Sequence, residues 1–237
     1  MCIRNKNASL IWKAVFLLLV AWALLDGSGI LAGHFRSNFP HMFTNISNIA
    51  AWVYFLCAFV KLIRQREQAY TAPFAPVFKY TATISLLVTM IIAHFMVFDA
   101  MFQNGKLVWH LVVMHYVAPC MALLDWLLFD EKGKMPVWGP FAWVSLAVTY
   151  LAFTMIAVGV FGVYMGGGTT ADITPYPYDF LDPSIVGTGA VIGFCGGMIA
   201  AFIALGYILF GIDRLLGRMK RAGATGNHSA RKIDSCR

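Results

Sequence analysis

The sequence predicts an all-α fold, a polytopic membrane protein built as a six-transmembrane-helix bundle. Three observations carry this prediction. The 237 residues are 59% hydrophobic and only 12% charged, whereas soluble domains carry about 25% charged residues. Mean hydropathy is +0.70. Six apolar windows each approach or exceed the ~20 residues needed to cross a bilayer core. The length suits one bundle. Residues 1–212 form the membrane domain, and 213–237 read as a basic, disordered tail.

The first window, Ile11–Leu31, has no small-residue cleavage site after it and reads as a retained helix, not a signal peptide. The second, Thr44–Ile63, opens on a polar stretch. The third is Phe78–Phe98. The fourth, Leu107–Phe129, is nearly unbroken, yet it contains His115, Pro119 and Asp125. A titratable side chain at membrane depth is costly and belongs in the protein interior or a wet cavity. The fifth, Val137–Tyr164, and the sixth, Ile185–Ile212, are long enough to tilt. The glycines of the sixth (Gly187, Gly189, Gly193, Gly196, Gly197, Gly206 and Gly211) read as close helix packing. Trp12, Trp22, Trp52, Trp138 and Trp143 fall toward the window ends, as an aromatic belt would.

The formal net charge is +7. The basic residues flank apolar runs, so they report membrane orientation and not nucleic-acid binding. All lysines and arginines except Arg36 and Lys106 fall on the side shared by the two termini and the second and fourth loops. The positive-inside rule places that side in the cytoplasm. The tail after Ile212 is suited to touching anionic headgroups. The five cysteines are scattered without metal-ligand spacing, so neither a zinc site nor a disulfide framework is expected. No lipobox precedes Cys2.

Two external loops are distinctive. Gly33 to Met42 holds His34, Arg36 and His41. The loop before the sixth window holds Asp172, Asp179, Asp182 and the run Tyr176-Pro177-Tyr178-Asp179-Phe180. Proline restricts itself and the residue before it, so this loop is stiff. It reads either as a lid or as an interfacial anchor.

His115 lies eight residues into the fourth window, about 12 Å from its external end. The second window also starts on that side, and helical spacing puts Thr44, Ser47 and Asn48 on one face. A hydroxyl needs a base to become a nucleophile, and imidazole is the usual one. The structural alternatives are a helix cap at Thr44, interhelical hydrogen bonds at Ser47 and Asn48, and a hydrogen-bonded core histidine at His115.

FTNISN at the head of the second window, MHYVAP in the fourth and YPYDFLDP before the sixth together resemble the family of androgen-induced gene one and androgen-dependent TFPI-regulating protein. MHYVAPCMALLDW marks the chain as similar to a bacterial-type member. The resemblance spans Phe43 to Ile212, including the six-window layout. It implies an intramembrane threonine hydrolase of fatty acid esters of hydroxy fatty acids, with Thr44 as nucleophile and His115 as base. The segment Asn45-Ile46-Ser47-Asn48 departs from the animal pattern, which leaves the substrate open.

The expected site is therefore catalytic Thr44 and His115, with Asn45, Ser47, Asn48, His94, Tyr116, Tyr176 and Tyr178 contacting substrate. Asn48, Ser47 or Asn45 would supply the oxyanion donor. The expected partner is a lipid or fatty-acyl ester, and no metal or cofactor is expected. Asp125 reads as a structural hydrogen-bond acceptor ahead of a proton relay, and His110 as interfacial. The competing classes are a haem protein with His94 and His115 as axial ligands, a transporter, for which no repeat halves are evident, and a non-catalytic lipid sensor.

Overall fold

The computed structural model describes residues 2–64, 74–96, 98–103, 105–166 and 174–234. Arg66, Asp172 and Cys236, which entered the sequence reading, lie outside these residues. Six helices are long and apolar enough to cross a membrane, so the chain is an all-α bundle and an integral membrane protein.

The first helix, Lys6–Gly27, starts five residues before its window because Asn5 caps it, accepting from the Ala8 N–H at 3.1 Å. The second is Phe43–Arg64 and the third Pro76–Met96. A two-residue hairpin, Phe102–Gln103 against Lys106–Leu107, joins the third to the fourth. The fourth, Trp109–Phe129, contains a π turn at Val113–Val117. The fifth, Gly139–Gly159, has Pro140 in its first turn, where the missing N–H costs nothing. It stops short of its window, and Val160 and Phe161 are exposed. The sixth, Thr188–Asp234, follows a short turn that Asp182 caps.

The third helix is the hub. Of its most apolar stretch 67% is buried, against 17% for the sixth. On one side Phe16, Tyr54, Phe55, Leu86 and Ala118 join the first four helices. On the other, Phe43, Ile84, Trp126, Trp143 and Phe202 join the second through sixth. Small polar residues (Thr81, Thr83, Ser85 and Thr89) let the third helix be buried on most of its surface.

Three expectations need correction. The backbone beyond Ile212 does not become an irregular tail. It continues as helix to Asp234, through a stretch rich in the strong helix formers Leu, Arg, Lys, Met and Ala. Most glycines of the sixth helix do not pack against a neighbour. Gly206 meets Pro140, but Gly189, Gly193, Gly196, Gly197 and Gly211 face open space, because Phe202 and Leu209 make the contact face. Trp143 is a core residue, not part of a belt.

The end of the bundle that holds the N-terminus is locked by buried charges. Asp125 accepts from Lys13 at 2.7 Å and from Lys79 at 2.6 Å, and Lys79 also reaches Asp130 at 2.8 Å. Lys132 bonds the Asp130 and Trp126 carbonyls. Lys13, Lys79 and Lys132 were expected as flanking charges, but all are interior. The reason is Asp125, wholly buried in the fourth helix, which requires cationic partners at its own depth.

Candidate active site

The opposite end of the bundle carries a cavity of about 80 Å³ with mostly apolar walls. Its polar lining is Thr44, Thr89, His115, Tyr150 and Tyr178, from the second, third, fourth and fifth helices and the loop before the sixth. Phe43, Phe202, Ile199 and Met198 form much of the remainder.

Thr44 stands one residue inside the second helix. Its hydroxyl does not cap that helix but turns to His115, with Oγ1 3.2 Å from Nε2. His115 Nδ1 lies 2.9 Å from the Leu111 carbonyl. A carbonyl only accepts, so Nδ1 carries the proton and Nε2 is left as the acceptor. The Thr44 hydroxyl therefore donates to the imidazole. Each atom is oriented as a nucleophile–base pair requires.

Local sequence explains this aim. Pro119 has no N–H to return to the carbonyl four residues back, and its ring crowds that carbonyl. The helix loosens just before it, and the Ala118 N–H pairs five residues back with Val113. His115 is the middle residue of the resulting π turn. In that register the Met114 carbonyl would need an N–H from position 119, which proline lacks. Asn48 supplies the missing donor, with Nδ2 3.2 Å from the Met114 carbonyl and 2.8 Å from the Thr44 carbonyl.

Asn48 thus braces the two helices and does not line the cavity. Ser47 donates to the Thr44 carbonyl at 3.0 Å. Asn45 donates to the Phe39 carbonyl at 2.7 Å, fixing the chain that leads into the second helix. None of the three lines the cavity, and each has its donor committed elsewhere. His94 and Tyr116 bond each other at 3.1 Å outside the cavity, and His94 is exposed. Neither lines the cavity that His115 lines. Tyr176 packs on Ala157, Val158 and Met165 in a separate cluster. His110 is not interfacial but buried, 2.6 Å from Asp26. Among the described residues no three His, Cys, Asp or Glu side chains are grouped to hold a metal.

Of the expected substrate contacts, Tyr178 alone faces the cavity. Its Oη accepts from the Phe43 N–H at 2.9 Å, a free donor of the helix's first turn. Its ring stacks on Phe180, centroids 5.1 Å apart. The loop is pinned at its base, where Asp182 accepts from Thr174 Oγ1 and Ser184 Oγ, each at 2.6 Å. Its other side is held by Met165, whose N–H bonds the Pro175 carbonyl and whose own carbonyl accepts from His41 Nδ1 at 2.8 Å. Tyr178, Phe180 and Leu181 of this loop form part of the cavity wall.

The sequence reading missed Tyr150 and Thr89. Thr81, Ser85 and Thr89 recur every four residues and mark one face of the third helix, a signal that would have found Thr89. Tyr150 lies in an apolar run with no such pattern. Beside the cavity an apolar groove of about 530 Å³ runs between the third and sixth helices. Gly193 and Gly197 leave it open, and it shares Ile92 and Met198 with the cavity.

No family model, curated protein or solved structure matches the chain.

Proposed function

We propose that this chain is an intramembrane hydrolase of lipid carboxylic esters, with Thr44 as the nucleophile and His115 as the general base. The observation that supports this most is the Thr44 Oγ1 to His115 Nε2 contact of 3.2 Å inside an apolar cavity. The Leu111 carbonyl serves as the third member, holding the imidazole tautomer that accepts a proton.

Thr44 Oγ1 attacks the ester carbonyl carbon as its proton passes to His115 Nε2. The tetrahedral intermediate collapses, the carbon–alkoxy bond breaks, and His115 returns the proton to the departing alcohol. Water then attacks the acyl-threonine, giving its proton to His115. Collapse releases the fatty acid and restores the Thr44 hydroxyl. The apolar cavity and the adjoining groove suit an acyl chain, each buried CH₂ contributing roughly 0.8 kcal/mol. The resemblance noted in the sequence points to fatty acid esters of hydroxy fatty acids as the substrate class. Outside the buried network, the charge distribution still favours cytoplasmic termini, which for a bacterial-type member means an inner membrane with the site on its outer side.

The test uses purified protein in detergent or vesicles. Thr44→Ala and His115→Ala should each abolish hydrolysis of a fatty-acyl ester and covalent labelling by a fluorophosphonate, with thermal unfolding unchanged. Full activity in both variants would remove the proposal. Ester binding by the wild-type protein without turnover would instead favour a lipid sensor.

A further inference from the structure

We propose that Tyr178 is a catalytic residue, the hydroxyl that donates to the oxyanion formed when Thr44 attacks. This rests on the hydrolase reading and deepens it. An acyl transfer needs at least one donor aimed at the developing charge, and losing such a donor typically costs 10²–10³ in rate.

The donors first expected are unsuitable, because Asn45, Ser47 and Asn48 each donate to a backbone carbonyl away from the cavity. The hydroxyls that do line the cavity narrow the choice. Thr89 donates to the Ser85 carbonyl at 2.8 Å. Tyr150 donates to the His41 carbonyl at 2.8 Å. Thr44 donates to His115. The Tyr178 oxygen instead receives a hydrogen bond, from the Phe43 N–H. Among the described residues its own proton is seen on no carbonyl, and the phenol lines the same cavity as Thr44, the residue that follows its Phe43 donor.

That placement suits an oxyanion donor. The new carbon–oxygen bond forms at Thr44 Oγ1, so the negative oxygen appears one carbon away from it, in the cavity that the Tyr178 phenol also lines. The Phe43 N–H polarises the phenol and strengthens its donation, as bonds in a chain reinforce one another. The second helix's first-turn N–H thereby acts on the oxyanion through Tyr178. The ring is held by its stack on Phe180, so little ordering remains to be done at the moment of reaction.

The experiment compares wild type, Tyr178→Phe and Thr44→Ala on one fatty-acyl ester and its thiono analogue, with thermal unfolding recorded for each. Tyr178→Phe keeps the ring and removes only the hydroxyl. Its kcat should fall 10²–10³-fold with KM within about threefold. The loss should shrink on the thiono ester, whose developing charge rests on sulfur, a weak hydrogen-bond acceptor. A merely structural role would lower both substrates' rates equally. If Tyr178→Phe keeps kcat within threefold, or loses equally on both esters, while Thr44→Ala is inactive, the role of Tyr178 is overturned and the hydrolase reading stands. If Thr44→Ala retains activity, or wild type turns over neither ester, both proposals fall.

Discussion

Asn48 and Met114 meet across the interface of the second and fourth helices, amide nitrogen to carbonyl oxygen, at 3.2 Å. The same nitrogen bonds the Thr44 carbonyl. One side chain thus couples the turn that carries the candidate nucleophile to the turn that carries the candidate base. Asn48→Ala leaves the buried Met114 carbonyl without a donor, a loss of about 1–3 kcal/mol. Misplacement by about 1 Å costs around 10²-fold in rate. The variant should unfold at lower temperature and hydrolyse esters at least tenfold more slowly. Wild-type kcat in Asn48→Ala would show that the brace does not position the pair.

Pro119→Ala separates helix stability from aim. Alanine supplies the N–H that proline lacks and lets the π turn relax to α geometry. That removes one residue from the turn and rotates His115 by about 100° relative to the rest of its helix. The variant should be at least as stable as wild type yet lose Thr44 labelling and turnover. A melting curve and a fluorophosphonate gel read the two effects independently.

The charge network at the other end predicts the opposite split. Lys79→Met takes from Asp130 its ion-pair partner and leaves Asp125 with Lys13 alone, and should destabilise the bundle by about 3–5 kcal/mol. The protein that remains folded should keep its kcat, because the network and the cavity occupy opposite ends. Unfolding in detergent and turnover per folded molecule check this.

The pH profile has a definite shape. Protonated His115 cannot accept from Thr44, so the rate should climb tenfold per pH unit from the acid side and level off once the imidazole is neutral. Burial pushes the Tyr178 phenol above its ordinary value of about 10. Its proton is therefore retained through neutral and mildly alkaline pH and lost only beyond that. A fall in rate below about pH 9 would contradict Tyr178 as a protonated donor.

Much of this architecture was legible in the residues. Long apolar runs fix spans, because a bilayer demands length and little else. Thr44 and His115 were legible because polar groups at depth need a reason. Partners across the bundle were not. His94 and Tyr116 sit at the right level but turn outward, and level alone cannot distinguish the faces of a helix. The π turn shifts every later side chain in the fourth helix, so spacing counts break down there. Lys13 and Lys79 lie near the ends of apolar runs, where an interior lysine and a flanking one read the same. The sixth helix's glycines were consistent with either tight contact or an open groove.

Chain order gives those lysines two successive duties. The first and third helices are synthesised before the fourth, so Lys13 and Lys79 enter the bilayer with no carboxylate to meet. Their long stems can then carry the ammonium groups to headgroup water. Arrival of Asp125 draws both inward and removes them from the surface. The same positive charges are thus consumed in closing the finished bundle, and a nascent chain halted before residue 125 would still display them.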